Sequence, residues 1–109
     1  MSDSTKALQA LAVLAVLACA GGAQASEALA KKGSCIACHA TDKKLVGPSY
    51  REIAARYKGQ AAAPAQLAER VRKGSKDVWG TVPMPATDRA RLSDAELKAL
   101  IAWVLKGGA

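Results

Sequence analysis

The sequence has no Phe at all and only two Trp and two Tyr among its 109 residues. A core built on large aromatic rings is therefore excluded. The apolar half of the composition is mostly Ala, Leu and Val, which favours helices over sheets. There is one His, so no site can use two imidazoles from this chain. No apolar run reaches the roughly 20 residues that a bilayer-spanning helix needs. Acidic residues are scarce, 9 against 16 basic ones, and the net charge is +7. Basic residues are scattered rather than blocked, with Lys31-Lys32 and Lys43-Lys44 the densest pairs. Apolar content of 50% with 23% charged residues excludes a disordered chain. The length excludes two independent cores, and with them a large enzyme with a deep pocket of its own making.

The N-terminal stretch reads as an address. Ala7–Ala20 is a short apolar segment that follows Lys6 and ends in Gly21-Gly22-Ala23-Gln24-Ala25-Ser26. Ala23 and Ala25 make the A-x-A pattern of a signal-peptidase site, so residues 1–25 are expected to be a cleaved signal peptide and 26–109 the folded domain. Removal takes away Asp3 and Lys6 together and leaves the charge unchanged. An alternative processing site ends at Cys19, in Val16-Leu17-Ala18-Cys19, where a lipid would tether the product to a membrane. Both routes export the chain, and the expected location is the periplasm. Export turns the basic surface away from nucleic acid and toward an acidic protein partner.

Four short helices are expected. The first covers Glu27–Cys38. The second covers Ser49–Lys58, with Tyr50, Ile53, Ala54 and Tyr57 on one face and a capping box at Ser49/Glu52. Pro64–Lys73 forms the third, with Pro in the first turn and Gly74 past the end. The fourth, Asp94–Lys106, is capped by Ser93/Glu96, striped by Leu97, Leu100, Ile101 and Val104, and stopped by Gly107. Strand alternation and internal repeats are absent. The segment from Gly74 to Leu92 is long for a loop in so small a domain, and its Trp79, Val82 and Met84 predict that it is pinned to something. A small exported domain is usually stapled by disulfides. Here only Cys35 and Cys38 follow the signal segment, and a bridge between them closes a trivial loop.

Those cysteines belong to Cys35-Ile36-Ala37-Cys38-His39. C-x-x-C-H is the attachment pattern of a c-type haem. On a helical turn Cys35, Cys38 and His39 share a face, so two thiols and an imidazole meet one flat object. The thiols would add across the porphyrin vinyl groups, and His39 would be the proximal iron ligand. A thiol redox motif would call for a βαβ pattern, which is missing. A zinc site would need a fourth ligand, for which Asp or Glu remains.

The sixth iron ligand follows by elimination. His39 is the only His, and Met1 leaves with the signal peptide, so Met84 is the one thioether in the mature chain. In Val82-Pro83-Met84-Pro85 each Pro holds the residue before it extended, and a stiff segment presents sulfur at low ordering cost. Lys76, in the same loop, is the remaining ligand type, but its ammonium would have to lose a proton. His and Met together close both axial positions, which points to one-electron transfer rather than oxygen or substrate chemistry.

Taken in order, Cys35–Ala40, Val46-Gly47-Pro48-Ser49-Tyr50, Tyr57-Lys58-Gly59-Gln60, Arg70–Ser75, Val78–Pro85 and Ala102–Leu105 resemble small class I bacterial cytochromes c of the c-551/c-552 (cytochrome c8) type. The resemblance implies an all-α fold, about four short helices around one covalent haem c held by Cys35 and Cys38, with His39 and Met84 on the iron. It implies that the Pro48 carbonyl orients His39, that Trp79 and Arg70 bond a haem propionate, and that Trp103 packs the first helix on the last. It implies a monomeric electron carrier, not an enzyme, serving larger redox proteins such as nitrite reductases, terminal oxidases or peroxidases. An open-iron haem sensor or enzyme is the less favoured alternative. Two departures stand out: Thr87 falls where the family often carries Asn after the ligand Met, and Thr87–Leu92 is longer than usual.

Overall fold

The computed structural model describes residues 26–109, so the expected signal peptide and Cys19 lie outside the described residues. Residues 26–32 are helical (α1). A single 3₁₀ turn follows at Cys35–Ala37, then α2 (Tyr50–Arg56), α3 (Ala63–Lys73) and α4 (Asp94–Leu105). No named strand occurs among them, only isolated backbone pairs at His39/Lys44 and Ser75/Met84. No helix among the described residues is long and apolar enough to cross a membrane.

The first helix is shorter than expected. It stops at 32 because the chain turns at Gly33 and at Ser34, whose φ of 60° is left-handed. Gly33 is needed there, since a Cβ would lie 2.8 Å from Leu92 Cδ1. The cysteine motif therefore sits on a separate tight turn, not on the helix. Cys38 and His39 both donate backbone N–H groups to the Cys35 carbonyl, at 3.1 and 2.9 Å, and that one turn gathers the motif.

The other boundaries follow their capping signals. Both capping boxes form, Ser49/Glu52 and Ser93/Glu96, each with reciprocal side-chain to backbone bonds. Gly74, at φ 76°, ends α3, and Gly107, at φ 86°, follows α4. The period of α4 serves two cores at once. Leu97 and Ile101 join Tyr57, Ala63, Leu67 and Val71 of the α2–α3 side. Leu100 and Val104 join Ala30, Tyr50 and Leu92. Trp103 packs against this second cluster and meets Tyr50 edge-on at 5.1 Å between ring centroids, while Ala30 brings α1 to the same place. Leu92, inside the expected loop, is fully buried, and truncating such a side chain typically costs about 2–5 kcal/mol.

The long segment is pinned, as its composition predicts. Ser75 and Met84 exchange two backbone bonds at 3.1 and 2.8 Å. Thr87 N–H donates to the Val71 carbonyl at 2.8 Å, and Arg72 Nη1 donates to the Thr87 carbonyl at 3.2 Å. Arg72 Nη2 also pairs with Asp94 at 2.9 Å, tying α3 to the start of α4.

Candidate functional site

A cavity of about 360 Å³ opens among α2, α3, α4, the cysteine turn and the loop 75–85. Cys35, Cys38, His39, Pro48, Arg70, Trp79 and Met84 all line it. Every residue singled out from the sequence for haem binding is thus brought to one wall system, although Cys35 and Met84 stand at opposite ends of most of the domain. Lys76 is exposed and does not line the cavity. Lys44 does, beside His39, with which its backbone pairs.

The imidazole of His39 is held from two sides. Its Nδ1 lies 2.7 Å from the Pro48 carbonyl. A carbonyl only accepts, so Nδ1 carries the proton and Nε2 keeps its lone pair for a ligand bond. Gly47 lies against the same ring, where a Cβ would meet Cε1 at 2.6 Å. Tyr50 stacks on it at 5.9 Å between centroids, with the planes 24° apart. Nothing in the spelling Val46-Gly47-Pro48 marked Gly47 as a ring contact; only the fold brings it there.

The thiols are free and partly buried. Burial pushes the Cys35 thiol up from its ordinary value, and Cys38 beside it acts in the same direction, against a lowering by a backbone hydrogen bond. That is the reverse of the thiolate-stabilising setting of thiol oxidoreductases. Among the described residues no group of three or more His, Cys, Asp and Glu side chains converges as a metal ion would require.

Two residues that line the cavity each carry a buried polar atom with no partner within the described chain: Arg70 Nη1 and the Tyr50 hydroxyl. An unpaired buried guanidinium N–H is costly unless an anion meets it. The lining otherwise is largely apolar, with Ile53, Leu67, Val71, Leu100, Ile101 and Val104 contributing. A largely apolar slot with two thiols, an imidazole, a thioether and the cations of Arg70 and Lys44 fits a flat, carboxylate-bearing porphyrin.

The cytochrome c family model matches residues 23–107. The chain belongs to the cytochrome c family. It is 58% identical over 78 residues to cytochrome c2 of Rubrivivax gelatinosus, covering 72% of this chain and 92% of that one. With cytochrome c-551 of Pseudomonas aeruginosa it shares 46% identity over 98 residues, 90% of this chain and 91% of that one. The crystal structure of wild-type Nitrosomonas europaea cytochrome c552 superposes with a TM-score of 0.68 at 44% identity, covering 74% of this chain and 98% of that one. Cytochromes c of this kind carry electrons on a haem c attached through C-x-x-C-H, which here is Cys35–His39.

Sequence reasoning did not single out Arg56. Its guanidinium carbon lies 4.3 Å from the centroid of the Trp79 ring, and Nη1 donates to the Val78 carbonyl at 3.0 Å. Helical periodicity puts Arg56 on a solvated face, so no local signal could have found it.

Proposed function

We propose that the protein is a monomeric periplasmic carrier of single electrons whose haem c is ligated by His39 and Met84. The observation that carries this reading is the gathering of Cys35, Cys38, His39 and Met84 around one cavity, with Met84 stitched at its backbone to Ser75. Haem c, when bound, supplies one reversible electron at its iron. Each side chain has a distinct role. Cys35 and Cys38 anchor the group so that a small domain need not enclose it. His39 offers Nε2, with its tautomer set by Pro48. Met84 offers a soft thioether, which favours the reduced metal. Arg70 and Trp79, which line the cavity, would meet a haem propionate.

With His39 and Met84 both bound to its iron, a haem would offer a substrate no open site, which is why the reading is a carrier and not a catalyst. Ile36, Val46 and Val82 are more than half exposed, and Leu45 is 43% exposed. Lys43 and Lys44 are exposed next to Leu45 and Val46 in the chain, and this stretch suits a short-lived contact with an acidic redox protein.

The test is Met84→Ala in the purified holoprotein. The oxidised wild type should show the weak red sulfur-to-iron band and refuse carbon monoxide when reduced. The variant should lose the band and bind carbon monoxide. A band that survives the substitution refutes the ligand assignment.

A further inference from the structure

Loop 75–84 carries two of the cavity's key side chains, Trp79 and Met84, yet it is fastened sparsely. Its base is closed by the two Ser75–Met84 backbone bonds. Its interior includes Asp77 at φ 59°, a left-handed turn conformation that Asp adopts more readily than most non-glycine residues. Among the described residues, the hydrogen bond from Arg56 Nη1 to the Val78 carbonyl, at 3.0 Å, is the only one that reaches positions 76–83.

Arg56 sits on the last turn of α2, and it does not line the cavity. The guanidinium carbon lies 4.3 Å from the Trp79 centroid and 5.8 Å from that of Tyr57, a buried core ring. One side chain therefore links the end of α2 and the core to the middle of the loop. The planar guanidinium is suited to both contacts, because it can cover an indole and donate in its own plane at the same time. An ammonium has no plane to stack and carries a tighter hydration shell.

We propose that Arg56 is a positioning residue, which clamps loop 75–84 against α2 through Trp79 and Val78 and so keeps Met84 on the haem iron. The proposal rests on Met84 being the ligand, as inferred above. It makes the kinetic hold on the thioether depend on a residue that touches neither the sulfur nor the haem.

The experiment uses oxidised holoprotein mixed with imidazole, following loss of the sulfur-to-iron band in wild type, Arg56→Gln and Arg56→Lys. Arg56→Gln should speed displacement of Met84 by about tenfold, equivalent to ~1.4 kcal/mol at the conversion of tenfold per 1.4 kcal/mol. Arg56→Lys keeps the charge and should recover less than half of the lost resistance. Hydrogen exchange of the Ser75 and Met84 amides should rise in step with the displacement rate, while the amides of Leu97 and Ile101 in α4 stay protected. Displacement rates in both variants within about twofold of wild type overturn the clamp. So does full recovery by Lys, which would reduce the role of Arg56 to charge alone. A wild-type holoprotein without the band overturns the ligand reading beneath it, and is told apart because it fails before any variant is made.

Discussion

His39 donates from Nδ1 to the Pro48 carbonyl at 2.7 Å, and the residue before that proline, Gly47, leaves no room for even a methyl group beneath the ring. Gly47→Ala would set a Cβ 2.6 Å from His39 Cε1. Either the ring or the loop must give way. We expect covalent haem loading to persist while stability falls by about 1–3 kcal/mol, the usual range for overpacking. The reduction potential should move with it as His39 tilts. Denaturant unfolding and a redox titration of the variant check both, and a wild-type potential would show that Gly47 does not set the ring.

Removing the anchors should remove the fold. Without haem, the apolar side chains around a cavity of about 360 Å³ would face water instead of a packed group. A small domain whose whole stability is on the order of 5–15 kcal/mol has little margin for that loss. Cys35→Ala/Cys38→Ala is therefore expected to be largely unstructured by far-ultraviolet circular dichroism. Near-normal helicity without haem would show that α4 and its two clusters stand alone.

Lys32 reaches from the end of α1 to Glu96 near the start of α4, at 2.7 Å. The hydrogen bond from Lys32, with a further bond from the Ser93 backbone, holds the Glu96 carboxyl down to about 2 against an ordinary 4.5. A depressed acid stabilises the fold above its unfolded value and loses that contribution as pH falls. The stability difference between wild type and Glu96→Gln should be constant above about pH 5, shrink below 4.5 and vanish near pH 2. Both side chains are solvent-accessible, so the difference is small and weakened by salt. Unfolding curves across that pH range decide it.

Tyr50 is 4% exposed, and its hydroxyl has no partner among the described residues. Burial, with a smaller push from Cys35, raises it to about 12. Here the neutral form is the one the fold prefers, so this stability is full below about 10 and is lost as pH rises through about 12. Tyr50→Phe should be as stable as wild type at neutral pH, or more so by up to about 1 kcal/mol, since the lost group made no bond. It should also show a shallower decline above pH 10. A clear loss at neutral pH would mean that the hydroxyl is bonded in the holoprotein.

A net charge of +7, with Lys43 and Lys44 exposed next to Leu45 and Val46, predicts salt-sensitive partnering. Electron transfer with an acidic protein should slow by about tenfold between low and physiological ionic strength, as surface charges become screened. Stopped-flow rates that ignore salt would remove the steering role of these lysines.

Much of this molecule is legible along the chain because its signals are local. Capping boxes, Pro64 and Gly74 place three helices within a residue or two, since a helix end is satisfied by its own neighbours. The motif at Cys35–His39 points to haem c, and the scarcity of His and Met narrows the expected ligands to His39 and Met84, with Lys76 as the remaining type, before any folding is considered. The early end of α1 is different in kind. The helix ends where Ser34 turns left-handed, and Gly33 beside it has no room for a Cβ because Leu92, far along the chain, lies 2.8 Å from where one would stand, a contact that no local propensity encodes.

The same division runs through the site. Composition and spacing by themselves determined the C-x-x-C-H attachment pattern of a haem c and which side chains are available to hold it. Only the tertiary structure decided how firmly they are held: Gly47 under the imidazole, Arg72 on the Thr87 carbonyl, Arg56 over Trp79. The physical reason is that ligand identity is a property of side chains, while ligand placement depends on contacts between residues far apart in sequence, which exist only once α2, α3 and α4 have closed around the cavity.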